Sequence, residues 1–231
     1  QRAKTSLKRG LQIFETLDAP YQESRVRINY GVLRQRRGRR KQALQQVELA
    51  VELADEVAHP FRASTERANL ACTLTLVGER SRAAETYEKA LDLLQKRGLK
   101  RAQANTQLDY GLLLIDMGDF EKAGDILEQS RRLSSPNNCI GGFSNLGGVQ
   151  ASLAVVEAVA GDFTAAEEYL QQAELLLEQS PSEPPREKLA RMIFVQQQRV
   201  QLERLHRTGD RTDAVDGLAV EQLREDVARI A

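Results

Sequence analysis

Tryptophan is absent from this 231-residue chain, and aromatic residues make up only 5% of it. Few aromatic side chains are available, and the composition is dominated by helix-forming residues instead. Two cysteines, Cys72 and Cys139, are too few and too far apart for a disulfide framework or a zinc site. They suit a reducing, cytoplasmic setting. No apolar run approaches the roughly 20 residues that span a bilayer, so a membrane partner is not expected. The first ten residues carry Arg2, Lys4, Lys8 and Arg9 without an apolar stretch, so no signal peptide is read there. The formal charge sums to zero, which gives no sustained basic face for nucleic acid.

The abundant residues are Ala, Leu, Gln, Glu and Arg, all strong helix formers. Charge is segregated despite its neutral sum. Residues 1–62 hold 13 Lys or Arg against 7 Asp or Glu, whereas residues 133–185 hold 7 acids and no Lys or Arg. Such ends can attract a charged partner locally, or another copy of the chain.

A 40-residue period organises the sequence. Ala3, Ala43, Ala83 and Ala123 keep it, as do Gly38, Gly78 and Gly118, and Pro20 and Pro60. Self-similarity of this length marks an array of one stacked supersecondary unit. Between Gly38 and Gly78 the apolar spacing predicts a helix over 39–56, a break at His59-Pro60, and a helix over 61–77. Each glycine supplies a left-handed turn residue, and Ser81 is expected to cap the next helix. Small residues recur at Gly10, Ala50, Ala90 and Ser130, and again at Gly31, Ala71, Gly111 and Ala154. Large ones recur at Leu7, Val47, Tyr87 and Leu127. Small beside large lets helices approach closely while a knob fills the groove. Further on, residues 134–148, with two Gly-Gly pairs, read as a connector, and 186–207 as a long helix. Gly209-Asp210 and Ala214 repeat the turn signature weakly.

These residues resemble the tetratricopeptide repeat family. Asn69-Leu70-Ala71, Gly78, Ala83, Tyr87, Ala90 and Leu91 match its motif, as do Tyr110-Gly111, Gly118-Asp119-Phe120 and Ala123. Gly161-Asp162-Phe163, Ala166 and Ala173 match it again. The commonest repeat has 34 residues, so a unit of 40 implies longer helices. The resemblance implies an all-α, right-handed helical-repeat solenoid of antiparallel helix pairs. It would form one domain over 1–231, with an orphan second helix (1–20) and pairs at 21–58, 60–98, 100–134, 145–180 and 186–231, as part of a longer protein.

The resemblance also implies a concave groove lined by first helices. Its candidate residues are Arg25, Ile28, Val32 and Arg36, then Thr65, Ala68, Cys72 and Leu76, then Asn105, Leu108, Leu112, Ile115 and Asp116, and finally Ala151, Val155 and Val159. The expected role is a non-catalytic scaffold that binds a protein, a peptide or another domain of the same chain. The alternative is a sensory module of a larger bacterial signalling ATPase, kinase or transcriptional activator. Arg34, Arg36, Arg37, Arg39, Arg40 and Lys41 form a basic patch suited to phosphate or acidic-peptide oxygens, or a solvated turn. His206 lies near Glu203 and Asp210, a set too sparse to read as a metal site. No nucleophile, base and oxyanion donors assemble, so neither catalysis nor a cofactor is expected.

Overall fold

The computed structural model describes residues 2–57, 60–134, 142–180 and 185–208. Among these there are ten helices and no strand: α1 (Arg2–Thr16), α2 (Pro20–Gln35), α3 (Arg40–Glu56), α4 (Pro60–Val77), α5 (Arg80–Lys96), α6 (Lys100–Met117), α7 (Phe120–Leu133), α8 (Gly142–Ala160), α9 (Phe163–Glu178) and α10 (Pro185–Thr208). The chain divides into two compact units between Leu113 and Leu114, inside α6. Within the first, α2 packs on α3 and α4 on α5, while α3 also packs on α4. Within the second, α8 packs on α7 and α9, and α10 packs back on α8 as well as on α9.

Helix ends follow from a few residue types. Pro20, Pro60 and Pro185 each open a helix, where a missing N–H leaves no bond unmade. Gly38, Gly78, Gly118 and Gly161 have φ between +70° and +98°. In each case the next residue's N–H donates to a carbonyl five positions back, as Glu79 does to Leu74 and Asp119 to Leu114, both at 3.0 Å. That bond closes the helix and turns the chain back. Gly98 makes the same turn, and so does Asp18 at φ 47°, eighty residues before it. These two mark the end of the second helix of a pair, a turn the glycine series alone does not reveal.

Two sequence-based expectations are corrected. Ser81 does not cap α5: the helix begins at Arg80, and its N-cap Glu79 makes no side-chain capping bond. The left-handed glycine places the cap immediately after itself, leaving Ser81 inside the first turn. Asp119 and Asp162 occupy that cap position and accept from the N–H of Lys122 and Ala165, at 3.3 and 2.9 Å. The connector over 134–148 is also shorter than expected, because α8 already runs from Gly142. Gly147 is buried in that helix, where a Cβ would fall 2.7 Å from the Leu189 Cδ1 of α10. Its lack of a side chain lets α10 approach, and Leu189 and Ile193 join Ala151 and Ala173 in a buried cluster. The weak turn signature at Gly209, Asp210 and Ala214 lies outside the described residues, as do His59 and Cys139.

The core follows the repeat. Ala43, Ala83 and Ala123 are fully buried, as are Ala50, Ala90 and Ser130, and Val47, Tyr87 and Leu127 are buried between them. At Gly31 a Cβ would lie 2.8 Å from the Val47 Cγ2, so α2 and α3 meet at their backbones. Tyr87 stacks on Tyr110 with ring centroids 5.3 Å apart, and burial pushes its phenol pKa upward. Ion pairs repeat too. Arg27 reaches Glu15, and forty residues on Arg67 reaches Asp55, each at 2.8 Å.

Two acids are buried among the described residues, Glu23 on α2, which pairs with Arg27, and Glu66 on α4. Glu66 on α4 is 1% exposed and accepts from Arg62 Nη1 at 2.9 Å and from Asn69 Nδ2 at 3.1 Å. Burial raises its carboxyl above the ordinary 4.5, against the opposing hydrogen bonds of Asn69 and Arg62 and the charges of Arg62 and Arg25.

Two predictions follow from this core. Replacing Ala83 or Ala123 by Leu overfills a closed contact and should cost about 1–3 kcal/mol in urea unfolding; unchanged midpoints for both would show that the repeat does not place these alanines in the core. The second uses pH. A carboxyl with a raised folded pKa contributes its stability below the unfolded value and loses it as pH rises through the folded one. The stability of Glu66→Gln relative to the unmutated chain should therefore improve as pH climbs from below 4.5 toward neutrality. Parallel pH profiles for the two proteins would contradict the burial of a titrating carboxylate.

Candidate functional site

In the first unit the candidate side chains stand in the 40-residue register on three first helices. Ile28, Ala68 and Leu108 occupy one position on α2, α4 and α6, and Val32, Cys72 and Leu112 the position one turn further along. All six are apolar or weakly polar. Leu108 is buried, Ile28, Ala68, Cys72 and Leu112 are half-buried, and Val32 is 40% exposed. An adjacent side of α4 holds the fully buried Ala71 and Leu74. A helix that is apolar on two sides has more apolar surface than one neighbour covers. Thr65 and Leu76 are half-buried on the same helix, and the Thr65 hydroxyl donates to the Arg62 carbonyl at 3.2 Å. Cys72 is half-buried and forms no disulfide.

Charge flanks this strip. Arg25, Arg36 and Asn105 are exposed. The positive charge of Arg25 also acts on the buried Glu66 carboxylate, a partner on another helix that no local spacing reveals. Arg36 sits at the C-cap of α2, where a cation suits the helix dipole.

In the second unit the candidate residues are more enclosed. Ala151 is fully buried, and Val155 and Ile115 nearly so. These three hold helices together and present no open face to a partner. Val159 is half-buried and Asp116 exposed. α10 reaches both: Arg199 Nη2 donates to Asp116 Oδ1 at 2.7 Å, and Arg207 donates to the Val159 carbonyl. Arg199 and Asp116 are 83 positions apart in the chain, so no local spacing could have paired them. Gln196, also on α10, is buried with its side-chain oxygen unpaired among the described residues.

The basic patch straddles the Gly38 turn. Arg36, Arg37, Arg39, Arg40 and Lys41 are exposed, whereas Arg34 is half-buried against Tyr30. Among the described residues no group of three or more His, Cys, Asp or Glu side chains could hold a metal ion, and no helix is long and apolar enough to cross a membrane.

No family model and no curated protein matches the sequence. Solved structures do match the fold. RapI in its apo form superposes with a TM-score of 0.73 at 11% identity, over 98% of this chain and 68% of that one. BtubC (BKLC) from P. vanneervenii gives a TM-score of 0.63 at 21% identity, over 71% of this chain and 67% of its own. The nearly identical TPR-like repeats of a Podosopora anserina protein of the kinesin light chain type give a TM-score of 0.60 at 17% identity, over 89% of this chain and 93% of that one. At these identities the likeness speaks for the fold alone, and it agrees with the glycine turns, the buried alanines and the helix pairs: the chain has an all-α helical-repeat fold of the tetratricopeptide-like type.

Proposed function

We propose that this chain is a non-catalytic scaffold that binds a protein or peptide segment along the first-helix face of its N-terminal unit. The observation that supports this reading is the apolar strip in register across α2, α4 and α6. Five of its six positions keep some exposure although none carries a charge, while buried side chains already fill a neighbouring side of α4. An extended or helical segment with apolar anchors would cover such a strip, in the way that amphipathic helices occupy apolar grooves. Arg25 and Arg36 would steer an acidic portion of that segment, raising its association rate more than its final affinity. A reducing, cytoplasmic setting belongs to the same reading, in which Cys72 stays a thiol outside any disulfide.

The burial pattern selects the residues for the test. Leu108 is only 6% exposed, so a charge there would unfold α6 before it reported on binding. Val32 and Leu76 are accessible, and Leu49 on α3 is a control at 38% exposure. Peptides selected from a random display library against the purified chain would be measured by fluorescence anisotropy. Val32→Asp with Leu76→Asp should weaken them at least about tenfold, or about 1.4 kcal/mol, with the helical circular dichroism kept. Leu49→Asp should leave affinity unchanged. Equal affinity for the folded double variant would contradict the groove and favour a sensory module that encloses a small ligand elsewhere.

A further inference from the structure

The N-terminal unit carries a recess whose chemistry is separate from the apolar strip. Lys4 of α1, Arg34 and Arg37 at the end of α2, and Arg39 at the N-cap of α3 line it, with Tyr30 and Leu33. It is a shallow recess open to solvent rather than an enclosed cavity. Four cations line one small space, and no acid does. Like charges brought together repel, and at physiological salt screening acts over about 8 Å, too far to cancel repulsion within a single recess. An arrangement of this kind is relieved by an anion.

The state of Arg34 strengthens the point. The other half-buried arginines among the described residues meet carboxylates: Arg27 meets Glu15 and Glu23, Arg62 meets Glu66, Arg67 meets Asp55, Arg199 meets Asp116, and Arg204 meets Glu167. Arg34 has only neutral partners among the described residues. Its Nη2 donates to the Tyr30 hydroxyl at 2.8 Å, its Nη1 donates to the Gln42 amide oxygen, and its guanidinium carbon lies 4.6 Å from the Tyr30 ring centroid. Its Nε is buried with no acceptor. The side chain is thus held in place by the fold while its charge stays uncompensated. The start of α3 adds to the field, since its N-cap makes no side-chain bond and its first turn holds no acid.

We propose that this recess binds the dianion of a phosphate monoester. Converging cations in a small space fit a compact group carrying about −1.5 to −2 charges at pH 7, rather than carboxylates strung along an acidic peptide. Guanidinium forks match its tetrahedral oxygens, and the lysine ammonium supplies a point charge. The site does not depend on what fills the apolar strip.

Calorimetric titration at low salt tests this with three probes: a phosphoserine tripeptide, adenosine 5′-monophosphate, and the same tripeptide with glutamate in place of phosphoserine. Both phosphate esters should bind saturably, and the tighter one identifies the source, protein-borne or nucleotide. The glutamate peptide should bind at least tenfold more weakly. Arg37→Gln with Arg39→Gln, at exposed positions that leave the fold intact, should weaken the esters at least tenfold. Arg34→Gln should do the same, with circular dichroism confirming that Tyr30 still packs in a folded chain. Arg80→Gln with Arg97→Gln removes equal charge from exposed positions outside the recess and should change nothing. Absence of saturable ester binding, equal affinity for the glutamate peptide, or equal weakening by the Arg80 and Arg97 pair would each overturn the proposal.

Discussion

Close approach of helix backbones at small side chains is the constraint on which the rest of this fold depends. Ala43, Ala83 and Ala123 have no exposed surface, and at Gly31 even a methyl group would collide with Val47. Helices that meet so closely bury their neighbours' apolar side chains with few aromatics, chiefly Tyr30, Tyr87 and Tyr110, which explains how a chain lacking tryptophan still forms a closed core. The same interlock, repeated every 40 residues, places the first helices in register. That register is why Val32, Cys72 and Leu112 share one position on α2, α4 and α6. The proposed binding strip is therefore a by-product of the packing rule.

Electrostatics adds a second layer of order. Arginines along the array reach back to carboxylates, some at repeat-equivalent places such as Arg27 with Glu15 and Arg67 with Asp55. Exposed pairs of this kind contribute little stability each, on the order of 0–1 kcal/mol. Their value here is as a background of matched charge. Against it Arg34, in the recess by Tyr30, stands out, because among the described half-buried arginines it alone meets no acid.

Much of this was legible in the sequence, and the reasons are local. Left-handed turns at Gly38, Gly78 and Gly118 need a residue without a Cβ, so they leave a mark at a fixed period. Asp18 makes the same turn as Gly98 without being glycine, and that series escapes a glycine search. The helix start at Gly142 was hidden because glycines usually signal a connector. Here Gly147 is set by Leu189 of α10, a contact no spacing announces. The candidate strip was legible on α2 and α4, where the register is strict. It was less legible in the second unit, where the pairing of Arg199 with Asp116 and the burial of Val155 depend on α10. Glu66 was invisible as a buried charge, since its partners Arg62 and Asn69 lie on its own helix and its enclosure comes from elsewhere.

The central claim is that the structural unit is 40 residues long and each copy meets its neighbours through the same small-for-large contact. Duplicating residues 40–79 in tandem tests it directly, because arrays of this kind grow by addition. The account predicts a soluble chain with a helical circular dichroism signal increased in proportion to its length, still unfolding cooperatively and at no lower temperature. Duplication of a 30-residue segment from the same region should break the register and lower the melting temperature. A 40-residue duplication that unfolds without cooperativity, or that melts no better than the 30-residue one, would contradict the account.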